Sequence, residues 1–492
     1  MKEKETITEE ENEGARWGIP YGTICNLGQR VYEFWERYKD CFKNKTRNNG
    51  EYALDYLEGL LRMETDRHFS EIGREAGVSG QNIQHFMSNS PWSGDEVCCQ
   101  VLNELKAIPE LTTGGVLLVD ESCNEKAGDK SAGSAKQYNG RLGKLETSQV
   151  GVFFSYSNLN VPQGFWTWIK GKLYFPKKWF DEDKKTLRNE LGIPNSLIFK
   201  TKIELAWDGI EELTKQDLPY EIVGFDSLYG RDSWLRANVR GIGKIYMAEV
   251  PVDTNVYLEK PELDISGRKG RFGPSPSKIK TLSGKLVRVD SLREKADWKQ
   301  ILVRTTERGN LCERFSAFRV WTVYEGLAVD DWLIIREESD GKYSYALCNA
   351  SDDTSIERLA WWKCQRYFIE RSNQDAKSEF GWDEFQARKY LAWEHQLALT
   401  ILASWFVAQT KYDFANNYSR DPELLVELKT DILPALSVAN VRELLRAVMP
   451  LKTLTVEEAT TLVIEHLINR TRSRRCRLRK QESTQQLQIA PS

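Results

Sequence analysis

Histidine is scarce in this sequence: only four occur among 492 residues, far apart at His68, His85, His395 and His466. No two of them have the His-x-x-x-His spacing that holds zinc on a helix, which leaves little material for a zinc enzyme or a histidine relay. None is followed two positions later by arginine, which argues against a tyrosine recombinase. Any catalytic metal is therefore expected to bind oxygen ligands, which favours Mg²⁺.

Paired cysteine motifs and nucleotide-binding loops are absent as well. The nine cysteines include no Cys-x-x-Cys pair, so the sequence predicts neither a disulfide framework nor a zinc ribbon. No Gly-x-x-x-x-Gly-Lys-Ser/Thr loop occurs, and we expect no nucleotide cofactor and no ATP-driven motor.

Long apolar runs are also missing. The first residues, MKEKETITEEENEG, are acidic and lack the apolar core of a secretory signal. No run reaches the ~18 apolar residues of a membrane span. We therefore expect a cytoplasmic protein without a membrane partner.

Length and charge set further bounds. The chain exceeds the roughly 250 to 300 residues at which one hydrophobic core stops growing, so we expect two to four domains. The net charge of −3 argues against nonspecific binding to a polyanion, but the charge is unevenly distributed. Residues Ser266 to Arg288 and Arg470 to Lys480 each contain seven Lys or Arg and no acid. Both segments are expected to neutralise phosphates.

Changes in spacing and composition divide the chain into five segments. The pattern predicts a mixed α/β sheet, interrupted by a β-rich insertion and flanked by helical regions. The predicted segments are a helical N-terminal domain at 1–115, a first part of the α/β core at 116–252, the β-rich insertion at 253–355, a second part of the core at 356–415 and a helical C-terminal region with a basic tail at 416–492.

The stretch FSEIGREAGVSGQNIQHFMSNS predicts two short helices joined by a tight turn at Gly77. Ser70 and Ser79 are the expected N-caps, and Ile72, Ala76, Val78 and Ile83 are the expected small core. This pattern fits a DNA-binding helix-turn-helix, and it fits an ordinary helical hairpin equally well. In the first case the segment from Gly80 to Ser88 enters a major groove, and the candidate base readers are Gln81, Asn82 and Gln84.

Three acidic residues are candidate metal ligands. Asp120 and Asp226 each follow an apolar run, which predicts carboxylates at the ends of buried strands, although an Asp there is often only a turn former or a helix cap. Glu370 shares one face of a predicted helix with Arg366, Asn373 and Lys377, a pattern that also fits a solvated face with an ion pair. Three oxygen ligands suffice to hold two divalent ions about 4 Å apart for in-line phosphodiester transfer.

Three blocks of sequence resemble the catalytic blocks of DDE-superfamily insertion-sequence transposases. The second block contains Asp226, Tyr229 and Gly230, and the third contains Arg366, Glu370 and Lys377 of the branch with a tyrosine-arginine-glutamate-lysine signature. Lys363 takes the place of the tyrosine. The first block, from DESCNEK to LGKLE, contains Asp120, Lys126, Gly128, Ser131, Gly133, Gln137, Tyr138, Gly140, Gly143 and Lys144.

This resemblance implies a ribonuclease H-like core with a β-strand insertion between Asp226 and Glu370. It implies a transposase that binds terminal inverted repeats, cleaves the element ends and transfers the strands with Mg²⁺, for which Mn²⁺ substitutes. The expected assembly is a homodimer on paired ends of double-stranded DNA, in the prokaryotic cytosol and associated with the nucleoid. The alternative is a domesticated or inactive DNA-binding descendant, against which the three intact acids argue.

The expected DNA contacts fall into two groups. Basic residues beside the acids are expected to grip the strand being cut through phosphate. Arg268, Lys269 and Arg271 are expected to contact the backbone rather than bases, and Trp321 and Trp332 to stack on an unpaired base, unless they are simply core. Around the acids, the candidate DNA-binding residues are Arg366, Lys377, Lys363, Asn373, Lys126, Gln137, Tyr138, Lys144 and Tyr229.

Overall fold

The computed structural model describes residues 9–43, 48–139, 143–264, 280–306, 309–450 and 455–489. Within these ranges no helix is both long enough and apolar enough to cross a membrane. Short 3₁₀ turns connect several elements, at Lys39–Phe42, Pro109–Leu111, Lys177–Phe180, Glu182–Lys184 and Val289–Lys295.

The described N-terminal part of the chain is helical, as its spacing predicts. Its helices are α1 (Glu9–Arg16), α2 (Tyr21–Cys25), α3 (Leu27–Tyr38), α4 (Gly50–Arg62), α5 (Phe69–Ala76), α6 (Gly80–Asn89) and α7 (Gly94–Lys106). α5 and α6 pack against each other, and their buried contact includes Ile72 and Ile83. Ala76 and Val78 are half-buried.

The turn between α5 and α6 has the geometry that its residues favour. Gly77 follows α5 with φ of +73°, a left-handed conformation that suits glycine. Ser79 caps α6, and its hydroxyl accepts the Gln81 N–H at 3.2 Å. The prediction of Ser70 as the other N-cap is wrong, because α5 begins at Phe69 and His68 occupies the cap position.

The strands begin after α7 and continue to residue 348. They are β1 (Val116–Glu125), β2 (Ala135–Asn139), β3 (Lys144–Asn158), β4 (Phe165–Tyr174), β5 (Ile222–Phe225), β6 (Ile245–Val250), β7 (Asn255–Tyr257), β8 (Leu263–Asp264), β9 (Lys280–Thr281), β10 (Leu286–Arg288), β11 (Lys299–Thr306), β12 (Gly309–Tyr324), β13 (Leu327–Glu337) and β14 (Tyr343–Cys348). Between them lie α8 (Lys185–Glu190), α9 (Lys202–Lys215), α10 (Ser227–Gly230) and α11 (Ser233–Gly241).

Twelve of these strands form one mixed sheet, so the predicted mixed sheet is confirmed. The order is β10-β7-β12-β13-β14-β6-β5-β1-β3-β2, with β11 paired to β12 and β4 paired to β3. β1, β5 and β6 are parallel neighbours at the centre. The strands of the predicted insertion extend this sheet, because β14 pairs antiparallel with β6. The division of the chain into five domains stays a prediction.

Two elements lie where the sequence pattern gave no strand or helix. β2 falls in the polar, glycine-rich stretch after β1 and pairs with β3. α9 begins with a capping box, in which Thr201 and Glu204 each bond to the other's backbone N–H.

Helices return after the sheet. They are α12 (Ile356–Cys364), α13 (Tyr367–Ser378), α14 (Tyr390–Asn417), α15 (Glu423–Glu427), α16 (Val438–Val448) and α17 (Val456–Ile489). α14 is buried along most of its length, as its apolar sequence predicts, and it contacts α4, α6, α7 and β4. It therefore joins the N-terminal helices to the sheet.

Candidate active site

Asp120 lies on β1, and Asp226 follows directly after β5, the parallel neighbour of β1. β1 and β5 are parallel, and their last paired residues are Val119 and Phe225. Asp120 directly follows Val119, and Asp226 directly follows Phe225. Neighbouring strands of a sheet lie about 4.8 Å apart. Asp226 also caps α10, because its carboxylate accepts a hydrogen bond from the Leu228 N–H at 2.9 Å. It is therefore a helix cap as well as a candidate metal ligand.

The prediction that β1 ends at Asp120 is wrong. β1 continues to Glu125, because the long strand β3 pairs with it over its whole length and places Phe153 opposite Asp120. Asp120 therefore lies in the middle of a strand whose parallel partner has already ended. From Asp120 onward, β1 therefore has no strand partner on its β5 side.

Both carboxylates lie in surroundings that disfavour their charge. Burial raises the pKa of Asp120 to about 7, with a further contribution from the charge of Asp226 and an opposing one from Arg366. Burial also raises the pKa of Asp226, although the backbone N–H of Tyr229 partly offsets the shift. A cation bound between the two carboxylates would stabilise their ionised forms.

Arg366 connects the third acid to this pair. It precedes α13, and its guanidinium contacts Glu370 at 2.6 Å and Glu249 of β6 at 3.1 Å. Burial alone would lower the pKa of Arg366, but the carboxylates of Glu249, Glu370, Asp120 and Asp226 together raise it. All four acids therefore stabilise the positive charge of this one guanidinium.

The predicted face of α13 lies against the sheet. Asn373 accepts a hydrogen bond from Trp168 Nε1 at 3.0 Å, and Lys377 donates to the Cys123 carbonyl at 2.9 Å. These contacts hold the helix over β4 and β1. Glu370 remains half exposed at the open end of this face, with 53% of its side chain accessible.

The donors present fit a hard divalent cation. Asp120, Asp226 and Glu370 offer only oxygen atoms, and such a set suits Mg²⁺ better than a softer metal. Among the residues that the structure describes, no group of three acidic, histidine or cysteine side chains is close enough together to hold a metal ion. Glu370 is paired with Arg366 instead, so it would have to leave that ion pair to join the two aspartates.

Several predicted DNA contacts are engaged within the protein. Lys126 donates to the Phe385 carbonyl at 2.7 Å, and burial lowers its pKa to about 8. Gln137 donates to the Ser148 carbonyl at 3.2 Å. Lys144 is exposed and pairs with Glu146 at 3.0 Å. The side chain of Tyr138 lies outside the described part.

Two residues predicted to touch DNA are buried. The side chain of Lys363 is fully buried, with Nζ 3.2 Å from Glu249. Tyr229 is also buried, and its hydroxyl donates to Glu121 at 3.3 Å. A direct contact of either side chain with DNA would require it to leave these surroundings, so the structure gives them supporting positions beneath the site.

The remaining candidates lie on other surfaces. Gln81, Asn82 and Gln84 are exposed on α6. Trp321 and Trp332 are half-buried, and each ring already faces a cation, from Lys260 and Arg319 respectively. Arg268, Lys269 and Arg271 lie outside the described residues.

Two acids that the sequence pattern did not single out belong to the site. Glu249 lies near the end of β6, the third parallel strand, and Glu121 follows Asp120 directly. Glu121 accepts hydrogen bonds from Tyr229 and from Lys202, the latter at 2.9 Å. One feature of the sequence indicates Glu249: it lies near the C-terminal end of a strand, where open sheets bind their ligands.

Comparison with known proteins places this geometry in context. A family model described as DDE superfamily endonuclease matches residues 37–310, a range that contains Asp120 and Asp226 and ends before Glu370. The chain is also similar to a protein of Microchaete diplosiphon described as "Probable transposase for insertion sequence element IS701", with 26% identity over 208 residues. That similarity covers 41% of this chain and 48% of the relative, so the chain spans about half the relative's length.

Proposed function

The chain belongs to the DDE superfamily endonuclease family, whose model matches more than half of its 492 residues, and on that basis we propose that it is an insertion-sequence transposase. In this proposal the protein binds the terminal inverted repeats of its element, cleaves the ends and joins them to target DNA. The observation that carries the proposal is the pair of carboxylates of Asp120, on β1, and Asp226, directly after the parallel strand β5. Arg366 lies within the field of both and is paired with Glu370.

Each side chain has a distinct role in this proposal. Asp120 and Asp226 hold a divalent ion, Mg²⁺ or in its place Mn²⁺, and Glu370 joins them once it leaves Arg366. When bound, such ions activate a water or a 3′ hydroxyl and stabilise the leaving oxygen. Arg366, released from Glu370, then contacts a phosphate of the strand being cut.

The proposed partners follow from the substrate. Double-stranded DNA supplies the element ends and the target, and two copies of the chain act on paired ends as a homodimer. The protein then works in the prokaryotic cytoplasm, in contact with the nucleoid. No nucleotide cofactor takes part.

The proposal is tested with the purified full chain and labelled DNA fragments that carry the ends of its own element. Mg²⁺ and Mn²⁺ should support cleavage at the ends, whereas Ca²⁺ should support binding only. Asp120→Asn, Asp226→Asn and Glu370→Gln should each lower cleavage by at least about a hundredfold, the effect typical of losing an electrostatic catalytic group. Their end binding should stay close to that of the wild type.

Asp129→Asn is the matched control, because Asp129 is an exposed acid in the loop after β1. It should cleave like the wild type. Absence of cleavage by the wild type with either ion would remove the transposase proposal and leave the alternative of an inactive DNA-binding descendant. Full activity in any one of the three acidic variants would remove that residue from the site.

A further inference from the structure

A chain of alternating charges runs from the interior of the protein to Glu370. Lys363 is fully buried in α12 and contacts Glu249 at 3.2 Å. Glu249 contacts Arg366 at 3.1 Å, and Arg366 contacts Glu370 at 2.6 Å. The four side chains come from β6, α12 and the start of α13, so they join the central sheet to the helix that bears the third acid.

Arg366 is therefore shared between two competing sets of acids. On one side Glu249 holds its Nε, and on the other Glu370 holds a terminal nitrogen, with the charges of Asp120 and Asp226 nearby. A guanidinium released by Glu249 would move towards the three acids and act as their counter-ion. In that position it would oppose the binding of a metal ion by the same carboxylates.

We propose that Glu249, with its charge balanced by the buried Lys363, is a positioning residue that holds Arg366 back from the metal site. The inference rests on the proposed function, because it takes Asp120, Asp226 and Glu370 as metal ligands. It also gives a role to the lysine at position 363, where the tyrosine-arginine-glutamate-lysine signature that the sequence resembles has tyrosine.

Lys363 is needed because Glu249 is largely buried, with 20% of its side chain exposed. Burial alone would raise the pKa of Glu249, but the charges of Lys363 and Arg366 lower it, so the carboxylate stays ionised. When Arg366 turns towards a DNA phosphate, Lys363 keeps Glu249 from becoming an unpaired buried charge. Replacing Glu249 alone would remove the partner of the buried Lys363, and replacing Lys363 alone would leave Glu249 to Arg366 only. Loss of one member of a buried pair is strongly destabilising.

The test therefore removes both charges together. Glu249→Gln/Lys363→Met keeps the net charge and nearly the volume of the site, so a change in metal affinity cannot come from a change in total charge. Mn²⁺ is titrated into the full chain without DNA, and free Mn²⁺ is measured by electron paramagnetic resonance. The site's share of binding is the part that Asp120→Asn removes.

The double variant should need at least roughly fivefold more Mn²⁺ for half-saturation, the lower end of common coupling between linked sites. Adding Arg366→Gln should abolish this shift, because the competing cation is then gone. Arg240→Met/Asp331→Asn is the control, since it removes another ion pair, at 2.7 Å, between α11 and β13, a strand that is separated from β6 by β14. It should leave Mn²⁺ binding unchanged.

An unchanged or tighter Mn²⁺ half-saturation in a folded double variant would overturn the inference and show a purely structural ion pair. If the double variant fails to fold, Glu249→Asp replaces it, because a shorter side chain keeps the charge for Lys363 but withdraws from Arg366. It should shift binding in the same direction, and the absence of a shift would equally overturn the inference. Mn²⁺ binding that Asp120→Asn leaves intact would instead refute the metal site, and with it both proposals.

Discussion

Asp120 and Asp226 are held in positions that favour their uncharged forms, and this is informative about their role. Burial of a carboxylate is unfavourable unless the folded protein gains something from it. The raised pKa values of both acids mean that their charged forms are less stable in the folded protein than in water. Perturbed carboxyl groups of this kind are typical of functional sites, where a ligand of opposite charge stabilises the charged form.

His395 carries a second buried titratable group, remote from the acids. It stacks on Trp92 with ring centroids 3.6 Å apart, and each ring nitrogen lies 2.9 Å from a backbone carbonyl, of Met87 and of Trp92. Two carbonyl acceptors would favour the protonated ring, but burial dominates and lowers the pKa of His395 to about 4. The neutral ring donates one hydrogen bond only.

The pKa of His395 predicts how stability depends on pH. Because the unfolded chain binds a proton near pH 6.5 and the folded one near pH 4, the free energy of unfolding should fall as the pH drops through this window. The contribution between pH 7 and pH 5 is about 2 kcal/mol. In urea unfolding at pH 7 and pH 5, the free energy of unfolding of His395→Gln should fall by less between the two pH values than that of the wild type.

His85→Gln provides the comparison, because His85 is exposed on α6. Its loss of stability between pH 7 and pH 5 should equal that of the wild type. An undiminished loss in His395→Gln would mean that other groups cause the acid sensitivity.

At the scale of elements, Arg67 fastens α13 to the N-terminal helices. Only 1% of the residue is exposed, and it precedes α5. Its guanidinium donates to the Glu379 carbonyl and, at 3.0 Å, to the Ser378 carbonyl at the end of α13, and it pairs with Glu384 at 2.6 Å. Carbonyls at a helix end lack partners within the helix, so a buried arginine satisfies them.

Arg67→Ala should therefore destabilise the protein by about 3 to 5 kcal/mol, the usual effect of breaking a buried ion pair. Arg74→Ala is the matched control, because Arg74 forms an exposed ion pair with Glu71 on α5. Arg74→Ala should lower the free energy of unfolding by no more than about 1 kcal/mol. Similar urea midpoints for the two variants would contradict the role of Arg67 as a buried fastener.

The exposed face of α6 carries the helix-turn-helix prediction. If this face enters a major groove, the triple change of Gln81, Asn82 and Gln84 to alanine should weaken binding to element ends by roughly fivefold or more. Binding to unrelated DNA should not change, and Asn89→Ala on the same helix should bind like the wild type. Equal losses on both DNAs in competition gel shifts would show that α6 does not read sequence.

Local patterns predicted some elements because their causes are local. The strand before Asp226, the cap at Ser79 and the buried helix α14 all follow from short-range spacing. β1 extends beyond Asp120 only because β3 pairs with it, and pairing between distant segments has no local signal. The contact of Glu249 with Arg366 is hidden for the same reason, since packing alone brings β6 to α13.

At the scale of the whole molecule, the sheet and the charge distribution bear on the proposed binding of DNA. The strands that follow β6 in sequence widen the central sheet, so the acids lie near its middle rather than at an edge. The net charge of −3 gives no general attraction to DNA. In the proposed function, affinity for DNA must therefore come from local basic surfaces, such as the exposed arginines of α17, which include Arg474, Arg475 and Arg477.

The triple change of Arg268, Lys269 and Arg271 to glutamine tests whether the first basic segment contacts the DNA backbone. Each lost phosphate contact lowers the slope of log affinity against log salt by about 0.9, so the slope should flatten by up to about 3. Binding to element ends and binding to unrelated DNA should weaken by the same factor, because phosphate contacts carry no sequence information. Lys177, Lys178 and Lys185, changed together to glutamine, give the same loss of charge on an exposed surface beside β4 and should leave the slope unchanged. A variant of the basic segment that keeps its salt slope but no longer distinguishes element ends would show that this segment reads bases.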